Sequence, residues 1–187
     1  MTSGIDHVAI IGGGFAGTLL AINLVRHGGP RATLIERHAG QLARGVAYSA
    51  AHADHLLNVR AGNMSALRDD PDHFVRWLQA RGAGGAKTFV PRRVYGDYLR
   101  DLLMETIAAD PTRLTLAQGE VVALAPDGAG YRLNLAEGRE LAADAAVLAL
   151  GNLPPHTPPG IDPSALAEGC YREDPWAGDI AAQGSSR

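Results

Sequence analysis

Three glycines near the amino terminus have the spacing of a phosphate-binding turn. A short apolar stretch runs directly into Gly12, Gly14 and Gly17, which together form the pattern G-x-G-x-x-G. The first glycine of this pattern permits a tight turn, the second lets a pyrophosphate approach the backbone, and the third lets a helix pack closely on a sheet. A helix starting near Phe15 would direct free N–H groups and its positive dipole end at the phosphates. The pattern indicates a dinucleotide-binding turn; a glycine turn without a ligand is the alternative.

Other reactive side chains do not form a recognisable catalytic set. His52, Asp54 and His55 are two histidines and one acid without a further credible ligand, so we predict no metal site. Arg92 and Arg93 stand just before a helical pattern. They either contact a phosphate or substrate or form a solvated surface pair. The catalytic residues are therefore unknown at this level.

Composition narrows the class of protein. The 187 residues are 46% hydrophobic with a net charge of −3, which fits one globular domain with a sizeable core. We find no basic patch with interleaved aromatic residues, no apolar run of the ~18 residues that span a bilayer, and no signal-peptide pattern. We therefore expect no nucleic-acid partner, no membrane association and a cytoplasmic location. The single Cys170 excludes a C-x-x-C redox pair, and Ala83, four residues before Lys87, excludes a Tyr-x-x-x-Lys dehydrogenase pair.

The elements around the glycine turn form a β-α-β unit. Apolar residues continue through a helical stretch that stops at the Gly-Gly-Pro of residues 28–30. A second apolar strand, residues 32–35, leads into Glu36. This acid follows the glycines by about the ~20 residues at which a carboxylate accepts hydrogen bonds from a ribose. The unit thus places a diphosphate and a ribose at one edge of a sheet.

The alternation of strands and helices stops in the middle of the chain. Residues 37–69 are too apolar for a solvated loop, so we expect them to pack across the face of the fold and to line a ligand. A short helix follows, with Asp70 as its N-cap, Pro71 at its first position and Gly82 beyond its end. Residues 82–87 form a surface loop.

The period of the pattern changes again towards the carboxyl end. A long helix after Pro91 places four large apolar residues on one face, namely Tyr95, Tyr98, Leu99 and Leu102. Short strands are predicted at residues 114–116, 121–124, 131–135 and around Leu141, with turns at 127–128 and 137–138. The apolar run 145–150 predicts a central parallel strand covered on both faces. The order predicts an α/β fold with a central parallel sheet and an antiparallel β-meander.

These motifs together resemble the FAD-binding part of two-dinucleotide flavoproteins of the glutathione-reductase fold. More narrowly, they are similar to bacterial FAD/NAD(P)-binding proteins near the N-hydroxylating and Baeyer-Villiger flavin monooxygenases. The matching segments are residues 8–17, 34–37, 44–48, 57–59 with 64–65, 74–78, 95–99, 148–151 and 174–176. The resemblance implies a Rossmann-like three-layer FAD-binding domain over residues 1–151, followed by a proline-rich exit and the start of a further domain over 152–187.

The resemblance also implies roles for individual residues. The glycine turn would hold the FAD pyrophosphate, and Glu36 the adenosine ribose. Arg37 would lie beside the adenine, to which Val122 presents its backbone. Gly151 closes a second flavin fingerprint, although an apolar Leu150 stands where the family pattern carries Thr. Residues 44–47 and 58–65 would approach the ribityl chain and the flavin ring. The implied cofactor-binding residues are Gly12, Gly13, Gly14, Phe15, Ala16, Gly17, Glu36, Arg37, Arg44, Gly45, Ala47, Asn58, Met64, Ser65, Val122 and Gly151.

By this resemblance, the complete enzyme would use NAD(P)H to reduce the flavin and act as a monooxygenase on an unidentified small molecule. No second G-x-G-x-x-G follows residue 151, where such families carry an NAD(P)-binding domain. We therefore expect either a piece cut before that domain or a naturally shortened relative, and a homodimer is left open. Two alternatives remain. The same turn serves an NAD(P)-dependent Rossmann enzyme, or the chain is a non-catalytic dinucleotide-binding module that acts through a partner.

Overall fold

The computed structural model describes residues 4–49, 55–153, 155–166, 171, 173 and 174. Contacts divide the chain into two units, Met1–Gly151 and Asn152–Arg187. In the smaller unit a short 3₁₀ turn, Pro163–Ala165, is capped by the carboxylate of Asp162, which accepts the Ser164 N–H at 3.0 Å. The assignment of this unit to the start of a further domain stays a prediction.

Among its described residues the larger unit has four helices and seven strands. The helices are α1 (Phe15–Arg26), α2 (Gly45–Tyr48), α3 (His73–Ala80) and α4 (Arg92–Ala109). The strands are β1 (His7–Ile11), β2 (Arg31–Glu36), β3 (Leu114–Gln118), β4 (Val121–Asp127), β5 (Gly130–Leu135), β6 (Glu140–Ala143) and β7 (Ala145–Leu148). Short 3₁₀ turns occur at Ala39–Gln41 and Ala61–Asn63.

These strands form two sheets of different kinds. The first sheet is parallel, with the order β3-β2-β1-β7, and its register sets Val8 beside Ala32 on one side and beside Ala145 on the other. The second is the antiparallel meander β4-β5-β6, in which Leu133 lies between Leu124 and Leu141. Local turns with glycine at positive φ join its strands, at Gly128 and at Gly138. The predicted parallel sheet and meander are both present.

The parallel sheet separates two apolar cores. Successive side chains of a strand point to opposite faces. On one face, Val8 and Ile10 pack in a large cluster with residues of α1, α3 and α4. On the other face, Ala9 and Ile11 pack with Leu133 and other residues of the meander. Helices, parallel sheet and meander therefore form three layers, which confirms the predicted fold class.

Residues 37–49 and 55–69 pack against the helical side, as the sequence predicted; ligand contact by this segment stays a prediction. Ala43, Leu57, Ala61 and Leu67 are buried in the helical cluster. The backbone of this segment also pairs with the chain before α4, since Leu57 N–H donates to the Val90 carbonyl at 2.9 Å. This segment therefore contributes to the apolar core on the helical side of the parallel sheet.

The start of α3 corrects one prediction. The N-cap is Asp72 and not Asp70, and the helix begins at His73. Residues 70–73 form a turn in which the His73 N–H donates to the Asp70 carbonyl at 3.2 Å. The Asp70 carboxylate instead pairs with Arg76 at 2.5 Å, so it is engaged by a charged side chain of the helix. The predicted end is confirmed, because Gly82 follows the helix at φ +63°.

The position of β7 corrects another prediction. Among the described residues this strand pairs only with β1, so it lies at the edge of the parallel sheet and not at its centre. It also ends at Leu148, two residues earlier than the apolar run suggested. Leu148 is 60% exposed and Leu150 is 62% exposed. Neither residue is covered on both faces, so their apolar character does not reflect burial by this part of the chain.

Two absences hold for the described residues. None of the helices there combines the length and the apolar character that a bilayer crossing requires. No group of three His, Cys, Asp or Glu side chains within the described ranges is placed to hold a metal ion. The candidate ligands His52 and Asp54, together with Cys170, lie outside those ranges.

Candidate functional site

The carboxyl edge of the parallel sheet gathers the predicted binding segments. The N–H of Gly12, just after β1, donates to the Ile35 carbonyl of β2 at 2.9 Å. On the other side, the N–H of Ala149, just after β7, donates to the Ile11 carbonyl at 2.8 Å. The residues that follow three adjacent strands therefore meet around Gly12. A crevice at this edge is where ligands bind in open α/β folds.

Gly12 and Gly17 are required by the packing of the protein itself. Gly12 has φ +107°, and a Cβ at this position would overlap the carbonyl oxygen of Ala149. A Cβ on Gly17 would overlap the carbonyl oxygen of Gly12. These two glycines thus let α1 and the end of β7 approach the turn, as the pattern predicted for the close packing of helix and sheet.

Gly14 differs from its neighbours because nothing in the described chain requires a glycine there. Its backbone is extended, with φ −72° and ψ −163°, a conformation open to any residue. A Cβ on Gly14 would lie 3.4 Å from the Gly45 Cα, an ordinary van der Waals contact. The lack of such a requirement among the described residues is consistent with the role that the pattern assigns to its second glycine, the close approach of a pyrophosphate.

The first turn of α1 offers donors to such a group. Gly14 is the N-cap and has no side chain with which to cap the helix. The N–H groups of Phe15, Ala16 and Gly17 lie in the first turn, where no carbonyl within the helix can accept them. No acidic side chain occupies this turn. Free donors and the positive end of the helix dipole fit a diphosphate here.

Glu36 joins the glycine turn to the end of β2. One carboxylate oxygen accepts the N–H of Gly13 at 2.8 Å, and the other accepts the N–H of His38 at 2.8 Å. A Cβ on Gly13 would lie 2.8 Å from the Cβ of Glu36, so this glycine is required by the acid beside it. A carboxylate accepts more than two hydrogen bonds, and the remaining lone pairs suit ribose hydroxyls. Glu36 thus supports the turn, and its contact with a ribose stays a prediction.

Residues 43–48 also contact the glycine turn. The N–H of Ala43 donates to the Gly13 carbonyl at 2.7 Å. Ala43 and Gly45 both have positive φ, +67° and +56°, which bends the segment towards the turn. The rings of Phe15 and Tyr48 are 5.5 Å apart. The structure therefore brings the segment that contains Arg44, Gly45 and the half-buried Ala47 beside the glycine turn. Cofactor contact by these three residues stays a prediction.

Two further predicted residues lie at the entrance to the meander. Arg37 is exposed and pairs with Glu120 at 3.2 Å, which holds the end of β2 near the start of β4. The register of β4 against β5 shifts between Val121 and Ala123, so Val122 has no partner across the ladder and is 60% exposed. A bulge of this kind leaves a backbone unit free, which fits the predicted contact of Val122 with adenine.

The segment 58–65 is held by contacts of its own. Asn58 is exposed, and Met64 packs on the helical cluster. The Ser65 hydroxyl donates to the Asp70 carbonyl at 2.6 Å and to the Leu67 carbonyl at 3.1 Å. These hydrogen bonds run within the segment and to the start of α3, not to the glycine turn. Cofactor contact by these three residues stays a prediction, as it does for Gly151, which lies after β7 at φ +71°.

The phenols near the site are protonated at neutral pH. Burial raises the pKa values of Tyr48, Tyr95 and Tyr98 above their ordinary range. The rings of Tyr48 and Tyr95 are 4.8 Å apart, and those of Tyr95 and Tyr98 are 5.5 Å apart. The three rings thus pack on one another, and the Tyr98 hydroxyl is also hydrogen-bonded to the His73 ring at 2.9 Å.

Sequence reasoning missed the part that α4 contributes to the site. Asp97 forms an ion pair with Arg44, and Gly96 contacts the same segment. Two signals were available: residues 95–99 belong to the segments that match the family, and a glycine in a strongly helical pattern costs about 1 kcal/mol relative to alanine and so calls for a reason. The partners of both residues could not be known, because they are about 50 residues away along the chain.

The chain belongs to the FAD-NAD(P)-binding family, whose sequence model matches residues 9–153. This match confirms the family resemblance and the predicted binding of FAD and NAD(P) by the family. The role of NAD(P)H as electron donor in the complete enzyme stays a prediction. No curated protein sequence matches the chain significantly.

Solved structures with a similar fold include flavin enzymes. A closed structure of cyclohexanone monooxygenase matches with a TM-score of 0.57 at 17% identity, over 83% of this chain and 27% of that one. A flavin monooxygenase from Stenotrophomonas maltophilia matches with a TM-score of 0.51 at 20% identity, over 77% of this chain and 38% of that one. The Diels-Alderase PyrE3 of pyrroindomycin biosynthesis matches with a TM-score of 0.52 at 16% identity, over 78% of this chain and 32% of that one. The chain thus spans about a third of these structures, and the likeness shows the fold.

Proposed function

We propose that the chain is the FAD-binding portion of an NAD(P)H-dependent flavin oxidoreductase, of the monooxygenase type. The observation that carries the proposal is the glycine at position 14, which neither the backbone conformation nor the contacts of the described residues require. Gly14 is the N-cap of α1 and contacts Gly45, and the family to which the chain belongs binds FAD and NAD(P). The monooxygenase type is supported by the cyclohexanone and Stenotrophomonas maltophilia enzymes, which share the fold.

The residues at this edge of the sheet would divide the binding of FAD among them. The first turn of α1 would hold the diphosphate through backbone N–H groups, and Glu36 would accept the ribose hydroxyls. The unpaired backbone at Val122 would meet the adenine. FAD, when bound, supplies the redox chemistry, while the chain supplies position and electrostatics. The donors at α1 are fixed in place by the parallel sheet, so binding requires little reorganisation of the backbone.

The first experiment measures which dinucleotide binds. The purified chain is titrated with FAD and, separately, with NADH, and the change in flavin or nicotinamide fluorescence is followed. We expect FAD to bind and NADH alone to bind weakly or not at all. A chain that binds NADH but does not bind FAD would contradict the proposal and support the NAD(P)-dependent alternative.

The second experiment tests the reaction type in a chain extended past Arg187. Anaerobic addition of NADPH or NADH should bleach the flavin absorbance, and readmitted oxygen should restore it with consumption of O₂. A flavin that stays oxidised under both donors in the extended chain would contradict the oxidoreductase proposal. It would favour a dinucleotide-binding module that acts through a partner.

A further inference from the structure

Residues 44–48 pack closely against α4 at Gly96. It lies in the second turn of an 18-residue helix and has no positive φ that would require glycine. A Cβ at this position would lie 2.5 Å from the Tyr48 carbonyl oxygen and 2.9 Å from the Arg44 Cγ. The glycine is therefore explained by contact with this segment, and α4 sets how deeply α2 can pack.

Asp97 holds the end of the Arg44 side chain at the same place. Its carboxylate accepts a hydrogen bond from Nη2 of Arg44, and the two side chains form an ion pair. Arg44 is 25% exposed, and its Nε is buried without an acceptor among the described residues. Guanidinium has five donors in a planar fork, of which Asp97 engages one nitrogen. The described part of the chain thus leaves the Nε of this fork without an acceptor.

The segment fixed by α4 also borders the glycine turn. The ideal Cβ of Gly45 would lie 3.4 Å from the Gly14 Cα and 3.5 Å from the Phe15 nitrogen, which is one of the free donors of α1. Arg44 is the residue directly before Gly45. The backbone on both sides of Arg44 thus contacts the turn, since the N–H of Ala43 donates to the Gly13 carbonyl at 2.7 Å. The guanidinium of Arg44 carries the charge that a diphosphate would attract.

We propose that Gly96 and Asp97 are positioning residues, which hold Arg44 beside the glycine turn as a second contact for the diphosphate of the bound dinucleotide. The proposal rests on the proposed function only in requiring a ligand with a diphosphate. It moves Arg44 from the flavin end of the ligand, where the family resemblance placed it, to the diphosphate. It also assigns α4 a part in cofactor binding.

The test compares ADP with adenosine as ligands, because only ADP carries the diphosphate. Dissociation constants are measured by calorimetry for the wild-type chain, Arg44→Met, Asp97→Asn and the double variant. We expect Arg44→Met to weaken ADP binding about tenfold or more, the effect of one lost charge-assisted hydrogen bond. Adenosine binding should change less than about twofold by the same reasoning.

The sign of the Asp97→Asn effect is diagnostic. Removal of a negative charge near an anionic ligand would by itself strengthen ADP binding, whereas loss of the support for Arg44 would weaken it. We expect weaker binding, recovery in Asp97→Glu, and no further loss when Asp97→Asn is added to Arg44→Met. Tighter ADP binding in Asp97→Asn would overturn the proposal, because it would show that Asp97 competes with the ligand for Arg44.

Asp101→Asn is the matched control. Asp101 lies one turn further along α4 and pairs with Arg81 at 2.7 Å, away from the glycine turn. Its substitution removes a comparable ion pair and should leave the ADP affinity unchanged. If the wild-type chain binds neither FAD nor ADP, the proposed function fails. If it binds both, and Arg44→Met and Asp97→Asn bind ADP as the wild type does, only the present inference fails.

Discussion

Gly14 and Gly17 belong to one motif, but their alanine variants should differ. Gly14→Ala should lose ligand affinity and keep its stability, whereas Gly17→Ala should lose stability. In Gly14→Ala the new methyl group contacts only Gly45, at 3.4 Å. Alanine stabilises a compatible site by about 0.4–1 kcal/mol through the unfolded state, and it is a poorer N-cap than glycine by a similar amount. The two effects nearly cancel, so the free energy of unfolding should change by less than about 1 kcal/mol. The melting temperature of the ligand-free protein should then shift by no more than about 4 °C.

Ligand binding should respond differently in the same variant. The methyl group would occupy the space through which the diphosphate reaches the N–H groups of α1. Loss of one or two charge-assisted hydrogen bonds, each about 1.5–3 kcal/mol, corresponds to a tenfold or greater loss of FAD affinity. Fluorescence titration with FAD measures this change. Gly85→Ala serves as the control, since a Cβ there meets nothing within 4 Å and the site is remote from the turn in sequence.

Gly17→Ala should be a folding defect. Its methyl group would overlap the backbone carbonyl oxygen of Gly12, which cannot move without displacing β1 or α1. Overpacking of this kind costs about 1–3 kcal/mol or more, so the melting temperature should fall by about 2–12 °C and further than in Gly14→Ala. If Gly14→Ala binds FAD as tightly as the wild type, or melts as early as Gly17→Ala, then the assignment of Gly14 to ligand approach is wrong.

Three further substitutions test other parts of the structure. Glu36→Gln keeps one acceptor for the two N–H groups that the carboxylate now binds, so urea unfolding should show a loss of about 1–3 kcal/mol; an unchanged midpoint would contradict that geometry. Burial lowers the pKa of His7, whose ring is hydrogen-bonded to Thr33 at 2.8 Å. The contribution of the neutral ring to the free energy of unfolding is therefore complete above about pH 6.5 and is lost as the pH falls below that value. His7→Gln should flatten the decline in stability between about pH 7 and pH 5, and an identical decline in both proteins would refute this assignment. Tyr98→Phe removes the 2.9 Å hydrogen bond to His73 and should cost about 1–3 kcal/mol by thermal unfolding, with no effect expected if the bond is not formed in solution.

The sequence was sufficient where structure follows from local spacing. The glycine turn, the helix after it and the strand ending in Glu36 are all present at the predicted positions. The four apolar residues of α4 fall on one buried face, as their helical spacing required. The meander followed from alternating side chains and from glycine turns at Gly128 and Gly138. In each case the deciding interactions are within a few residues of one another.

The sequence was insufficient where the outcome depended on distant or competing partners. An apolar run such as 145–150 reports that burial is favourable, but it does not report which elements lie beside the strand. Asp70 and Asp72 were both suitable N-caps, and the choice between them followed the pairing of Asp70 with Arg76. The contact between Asp97 and Arg44 depends on how α2 packs against α4. Side-chain identity alone carries no information about such contacts.

The pairing of β1 with β7 has a consequence for the order in which the protein acquires its binding ability. The carboxylate of Asp144, just before β7, accepts the N–H groups of Asp6 and His7, which precede it by 138 and 137 positions. Contacts that close such long loops form slowly compared with hairpins and helices. Ala149, which borders Gly12, reaches the turn only when β7 docks.

We therefore expect affinity for FAD to appear in the last step of folding. In stopped-flow refolding, quenching of FAD fluorescence should lag behind the change in tryptophan fluorescence; simultaneous phases would argue against late docking. The glycine motif lies near the amino terminus, but the binding site around it is complete only after β7 has paired with β1.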